Sequence, residues 1–465
     1  MEYISTRGRA AALSFEPTLL AGLAGDGGLY VPDHWPKLSR QTLEGFRGAG
    51  FNHVAKTVLM PFLGSDVQPK RFAEIVDEAY ASFSHADIAP LVALDDPHYL
   101  LELFHGPTLA FKDVAMQLLA RLMDDALRRR GQRATIVGAT SGDTGGAAIE
   151  AFRGRDAVDV FILYPQGRVS DIQRMQMTTP TDANVHTLAV DGTFDDCQAL
   201  VKAMFNDSEF RQEVNLAGVN SINWARVMAQ TTYYFTAAAK LGSPDTPVGF
   251  SVPTGNFGDI FAGYVAAQMG LPVARLMIAT NVNDILARVM KAGIYETEEV
   301  IATSSPSMDI QVSSNFERLL FELTRRDAPR VSGFMDALAH DGRFEMAQDE
   351  MALMSALFDA ARVDEAQTQE TMRDVLKRFD MQIDPHTAVG LAAARRAVLP
   401  DGVPMVSLAT AHPAKFPAAV EAAFGTGPDI PARVREMMTQ PERISPVENA
   451  LGAVQTFIRQ NGRMG

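Results

Sequence analysis

Two strand-to-helix turns rich in glycine and hydroxyls constrain this chain more than any other feature. The β-branched run Ala134-Thr135-Ile136-Val137 enters Gly138-Ala139-Thr140-Ser141-Gly142-Asp143-Thr144-Gly145-Gly146 and continues into the apolar helical segment Ala147-Ala148-Ile149. Likewise Val248-Gly249-Phe250-Ser251-Val252 runs through Pro253-Thr254-Gly255-Asn256-Phe257-Gly258-Asp259 into a helix from about Ile260. A strand feeding a helix through a short turn is one half of a parallel crossover unit. Further β-branched runs at Val158 to Leu163, Val185 to Val190 and Val403 to Leu408 continue the alternation. The expected fold class is therefore α/β with parallel sheets. No short period repeats, which sets solenoids and propellers aside.

At roughly 150 residues per domain, 465 residues suit two large domains with room for a smaller one. Residues 1–80 carry scattered Gly and Pro, as in Asp26-Gly27-Gly28-Leu29-Tyr30-Val31-Pro32, and read as an α+β leader subdomain. Residues 81–430 form the catalytic α/β region. Within it Ser313 to Arg378 is mostly helical and charged, either an insertion covering a cleft or a solvated helical face. Residues 431–465 are a C-terminal extension.

Lys+Arg 42 against Asp+Glu 56 leaves a net charge of −14, which offers no general attraction to nucleic acid or anionic lipid. The run Met1 to Arg7 has an early acid and no apolar core after it, so a cytoplasmic location is expected. The single cysteine, Cys197, suits a reducing compartment, has no partner in metal-ligand spacing and reads as an ordinary helix side chain; no metal is expected.

Four places concentrate chemistry. Lys112 follows the small and apolar Ala110-Phe111 and opens a helix. Desolvation there would lower its pKa toward a nucleophilic amine, the alternative being a helix-end lysine whose head reaches water. The two glycine-rich turns each offer free backbone N–H groups at a helix N-terminus, seats for a phosphate and a carboxylate, or else are structural turns. Neither is a GxGxxG or a GxxxxGK[ST]. Thr410 ends a buried-looking strand, as a hydroxyl facing a ligand or as a helix cap. One activated lysine, two anion seats and a strand-end hydroxyl are the parts that hold pyridoxal 5'-phosphate.

Phe104-His105-Gly106-Pro107-Thr108-Leu109-Ala110-Phe111-Lys112-Asp113 closely resembles the cofactor-lysine motif of the threonine synthases, within the tryptophan-synthase-β-like, fold type II family of pyridoxal-phosphate enzymes. The resemblance extends to Ala139 to Ala148, Asn220 to Arg226, Gly255 to Asp259, Ala279 to Asp284, Asp384-Pro385-His386-Thr387-Ala388 and Thr410 to Phe416, in the family's order. It implies two parallel-sheet α/β domains with the cofactor in the cleft between them. It further implies that Lys112 bonds the cofactor, that Gly255, Asn256, Phe257, Gly258 and Asp259 hold its phosphate, and that Thr410 faces its ring nitrogen. Thr140, Ser141, Asp143 and Thr144 would bind the substrate carboxylate. Other members of the fold often carry Asn where this chain has Asp143.

The activity implied is conversion of O-phospho-L-homoserine and water to L-threonine and phosphate, by a monomer or homodimer. A same-fold phospho-lyase or serine/threonine dehydratase-like enzyme performing α,β-elimination is the alternative, and a non-catalytic ligand-binding paralogue is disfavoured by the intact Lys112. A phosphorylated substrate needs local cations in so acidic a chain. Arg168, and Arg226 with Ser221 and Asn223 before it, are the substrate-binding candidates; either arginine is alternatively an ion pair.

Overall fold

A computed structural model describes residues 1–463. Two sheets form the frame. The larger has six strands in the order Phe358–Arg362, Val273–Thr280, Val248–Pro253, Met405–Ala409, His98–Glu102 and Leu91–Ala93. Only its edge pair, Leu91–Ala93 with His98–Glu102, is antiparallel. The smaller has five parallel strands in the order Ser445–Val447, Val185–Val190, Val158–Pro165, Ala134–Ala139 and Leu216–Ala217. All eight residues of Val158–Pro165 are buried, as a central parallel strand covered by helices on both faces requires. The α/β class with parallel-sheet domains matches the expectation.

Register sets the site. Met405–Ala409 pairs with His98–Glu102 residue for residue, so both strands end together, and Leu103 donates its N–H to the Ala409 carbonyl at 2.9 Å. Thr410 and the Lys112 loop therefore leave the sheet side by side.

Residues 1–80 share the main hydrophobic core. The Trp224 ring lies 6.0 Å from Tyr3, 5.9 Å from Trp35 and 5.7 Å from Phe62. Thr6 Oγ1 donates to Glu317 at 2.6 Å and Arg7 pairs with the same carboxylate at 3.0 Å. Trp224 is fully enclosed, so truncating it to Ala would remove about 3–5 kcal/mol of packing shared by leader and body.

Two stretches differ from the sequence reading. Ser313 to Arg378 is more than a helical cover, because Phe358–Arg362 is an edge strand of the large sheet, in parallel register with Val273–Thr280. Its sequence, Phe-Asp-Ala-Ala-Arg, has little strand propensity; the unpaired N–H and C=O groups of its neighbour recruit it. The C-terminal extension is likewise built into the small domain. Ser445–Val447 adds an edge strand, and Val454 and Ile458 pack in a cluster with Phe161, Cys197, Leu200 and Met204. Among the described residues, no helix is long and apolar enough to cross a membrane.

Candidate active site

Lys112 is the first residue of the helix Lys112–Arg129, and its backbone is held in place by the end of the large sheet. Phe111 donates its N–H to the Thr410 carbonyl at 2.8 Å, and His412 donates to the Leu109 carbonyl at 3.0 Å. The loop before Lys112 owes its shape to Gly106, where a Cβ would lie 2.4 Å from the Asp113 Cβ. Asp113 in turn accepts from both the N–H and the hydroxyl of Thr108, at 2.7 Å each, and burial pushes its carboxyl up to about 6.

The Lys112 ammonium donates to Asp143 Oδ2 at 3.3 Å and lies 5.0 Å from the Phe111 ring centroid. Asp143 opens the helix Asp143–Phe152 from the first glycine-rich turn. Its Oδ1 is reached by Lys415 at 2.9 Å and by Gln173 Nε2 at 2.8 Å, and Ser307 Oγ lies 3.5 Å from Oδ2. Burial lowers the Lys112 pKa, and the neighbouring Lys415 and Arg226 lower it further, against the opposing pull of Asp143. Burial alone would raise the Asp143 carboxyl, yet Lys415 and Lys112 hold it well below the usual carboxylate range.

In the first turn the Thr140 hydroxyl oxygen accepts the N–H groups of Gly142 and Gly145, both at 2.9 Å. Thr140 thus shapes the turn and keeps only its O–H for a ligand. Ser141 is exposed and Thr144 half-buried at the helix start, and neither side chain has a partner among the described residues. Gly142 sits at φ +146°, a conformation other residues rarely adopt, and its missing Cβ leaves room for Gln173.

The second turn is pinned from behind. The Gly255 carbonyl accepts from Ser313 Oγ at 2.6 Å, while the Asn256 carbonyl accepts from Asn315 N at 3.0 Å and Nδ2 at 2.9 Å. Arg318, buried, donates to Asn315 Oδ1 and to the Tyr30 and Ile222 carbonyls. Phe257 takes the left-handed conformation that starts the helix Gly258–Gln268. With its carbonyls tied back, the turn has N–H groups at Gly255, Asn256, Phe257 and Gly258 with no acceptor among the described residues, a cradle for an anion. A Cβ on Gly255 would lie 2.6 Å from the Ser307 carbonyl oxygen, so the cradle is closed by a loop that tolerates only glycine there. Asp259 is turned away to the Tyr233 and Tyr234 hydroxyls, and burial pushes its carboxyl up to about 6.

The remaining sequence candidates divide. Arg226 is buried and close enough to depress the Lys112 pKa; its Nη1 donates to the Val219 carbonyl at 3.2 Å, Nε has no partner, and burial brings it down to about 10. The Ser221 backbone borders Gly258 of the cradle. The Asn223 side chain caps a helix: its Oδ1 accepts from Ala225 N–H and its Nδ2 donates to the Leu19 carbonyl, which ties the helix Trp224–Lys240 to the leader. Arg168 is exposed, on the turn after Val158–Pro165, and no contact joins it to Lys112.

Sequence reasoning passed over Lys415, Gln173, Ser307, Asn315 and His386. Lys415 and His386 stand inside the blocks Thr410 to Phe416 and Asp384 to Ala388, which was a usable signal. His386 Nδ1 lies 2.7 Å from Asp384, and its Nε2 accepts the Ser307 N–H at 3.2 Å, steadying the loop that closes the cradle. Ser307 and Gln173 lie in no motif.

A buried lysine for an aldehyde, an amide cradle for a phosphate and the buried Thr410, whose carbonyl holds the Lys112 loop, fit pyridoxal phosphate, and this is a pyridoxal-phosphate-dependent enzyme. Residues 89–410 match the family model described as pyridoxal-phosphate dependent enzyme, residues 2–80 that of the threonine synthase N terminus, and residues 387–458 that of the threonine synthase C-terminal region. The chain belongs to the threonine synthase family. It is 50% identical over 466 residues to threonine synthase of Pseudomonas aeruginosa, covering 100% of this chain and 99% of that one. It superposes on the pyridoxal-phosphate-bound threonine synthase of Brucella melitensis with TM-score 0.98 at 54% identity, and on a threonine synthase of Escherichia coli with TM-score 0.82 at 34% identity. The first match covers 100% of both chains, the second 99% of this chain and 100% of the other.

Proposed function

We propose that this protein is a threonine synthase converting O-phospho-L-homoserine and water to L-threonine and phosphate. The observation that carries the reading is the buried Lys112 Nζ, 3.3 Å from Asp143 and with its pKa lowered by its surroundings, in a chain related to threonine synthases over its whole length. Lys112 would bond pyridoxal phosphate, the amides of Gly255 to Asp259 would hold its phosphate, and Thr410 would face its ring nitrogen. When bound, the cofactor supplies an electron sink for charge developing on the substrate carbons.

The protein supplies position and proton transfer. Ser141 and Thr144, with the positive helix end behind them, suit the substrate carboxylate, while the Thr140 hydroxyl keeps one donor for it. Lys112 Nζ, tethered at the start of its helix, would remain within reach of the substrate Cα and Cβ and could take a proton from each in turn. A depressed pKa favours the neutral amine that this requires. Arg226 offers the leaving phosphate a guanidinium close to Lys112, and Arg168 a second cation at the end of the neighbouring turn. Thr410 is neutral, so it stabilises a ring-nitrogen proton less than a carboxylate would. Cys197, unpaired and buried, suits a reducing, cytoplasmic setting.

The test is to incubate the loaded enzyme with O-phosphohomoserine and assay phosphate and threonine together. Threonine and phosphate in equal amounts support the reading. A 2-oxo acid with ammonia would instead assign the same-fold α,β-eliminase.

A further inference from the structure

Two lysines, not one, close on Asp143, from different oxygens. Lys112 reaches Oδ2 at 3.3 Å and Lys415 reaches Oδ1 at 2.9 Å. Their surroundings differ sharply. Lys415 is fully enclosed; its ammonium donates to the Thr108 carbonyl at 2.7 Å and to Gln176 Oε1 at 2.9 Å and is ion-paired with Asp143. Lys112 has one acceptor, Asp143, and is 8% exposed. The pair is thus asymmetric: one lysine is enclosed with several acceptors around its ammonium, the other is slightly exposed with a single acceptor.

We infer that Lys415 is a positioning residue that holds Asp143 as a permanent carboxylate, so that Lys112 can give up its proton without Asp143 taking it. A buried carboxylate whose only cation leaves becomes an uncompensated charge and tends to protonate. With Lys415 on the other oxygen, Asp143 keeps a counter-ion whatever Lys112 does. The charged groups acting on Lys112 are Asp143, Lys415 and Arg226, and Lys415 also acts on Asp113. Burial is the largest influence on Lys112, with Lys415 and Arg226 adding to it. Removing the Lys415 charge leaves Asp143 paired with Lys112 alone, and Lys112 then holds its proton more tightly.

This inference rests on Lys112 as the cofactor-bonding residue, which borohydride trapping on the holoenzyme checks separately: label on another lysine sinks that assignment, whatever Lys415 does. The inference itself is tested by the pH dependence of Lys112 acylation with acetic anhydride in the cofactor-free full chain, read by peptide mass spectrometry, and by the pH at which the holoenzyme's visible band changes. Lys415→Gln keeps a hydrogen-bond donor and loses the charge, Lys415→Met loses both, and Lys415→Arg keeps the charge. Both midpoints move alkaline by about one pH unit or more in the Gln and Met variants and stay near wild type in Arg. Midpoints unmoved by Gln and Met, or moved as far by Arg, overturn it. A second measurement does not depend on Lys415 variants. In Lys112→Met the ¹³C signal of the Asp143 carboxyl stays that of a carboxylate from about pH 5 to 9, whereas protonation inside that window overturns the inference.

Discussion

Phe111 and Thr410 are joined by a backbone hydrogen bond of 2.8 Å, so the residue just before Lys112 is fastened to the end of a central strand of the large sheet. The backbones of Lys112 and Thr410 are therefore held close to each other. If Thr410 faces the ring nitrogen as proposed, a carboxylate at 410 would favour the protonated form of that nitrogen. Thr410→Asp should shift the cofactor's absorption and raise the share of abortive products. An unchanged spectrum and product ratio would remove Thr410 from that role.

Lys112→Ala should abolish borohydride-resistant attachment of the cofactor and lower turnover by on the order of 10³-fold or more, the scale of a lost proton-transfer group. Lys415 cannot substitute, since it is enclosed and its donors are engaged. Added methylamine restoring part of the rate would confirm that an amine base is what was lost.

Arg226 is a buried cation with a single carbonyl partner, an arrangement that costs stability. Arg226→Met should lower kcat/KM for phosphohomoserine by about 2 kcal/mol or more while leaving the cofactor-free melting temperature unchanged or raised. A collapsed melting temperature with unaltered kcat/KM would make Arg226 structural. Arg168 is exposed, so Arg168→Ala should lower kcat/KM by under about 1 kcal/mol, and more steeply at low salt.

Gly255→Ala would drive a methyl group toward the Ser307 carbonyl, and both belong to the closure of the proposed phosphate cradle. Cofactor affinity should fall by about tenfold or more, roughly 1.4 kcal/mol, with the fold retained. Titration of the cofactor-free protein with pyridoxal phosphate measures this directly. Ser307→Ala keeps the carbonyl and serves as the control that should bind normally.

The Asp259 carboxyl is raised by burial to about 6 from an ordinary 3.8, so the folded protein prefers its protonated form. The sign follows: wild type loses stability as pH rises from about 4 through about 6, and an uncharged residue does not. Asp259→Asn in the cofactor-free protein should therefore gain on wild type as pH rises across that window, by up to about 3 kcal/mol. Parallel melting curves at pH 4.5 and 7.5 would contradict it.

Much of the site was legible because its pieces are local. A β-branched run, a glycine turn and a helix start are set by neighbouring residues, so the two anion seats and Lys112 at a helix start could be read directly, and several agreeing blocks pointed to one family. Asn223 shows the limit of such reading: Asn in a helix-start block serves equally as ligand or cap, and only the structure shows its Oδ1 accepting the Ala225 N–H while its Nδ2 reaches the Leu19 carbonyl. Phe358–Arg362 shows another, since nothing in its composition marks a strand and the free edge of Val273–Thr280 makes it one. The sequence alone determined which residue types stand at each turn. Tertiary structure decided what they do, bringing Lys415 and Gln173 to Asp143 and the Ser307 loop to Gly255 across long stretches of chain. The physical reason is that burial and charge act through space: the proton affinity of Lys112 is set by what surrounds it, and the charged groups among those neighbours, Asp143, Lys415 and Arg226, all lie far from it in sequence.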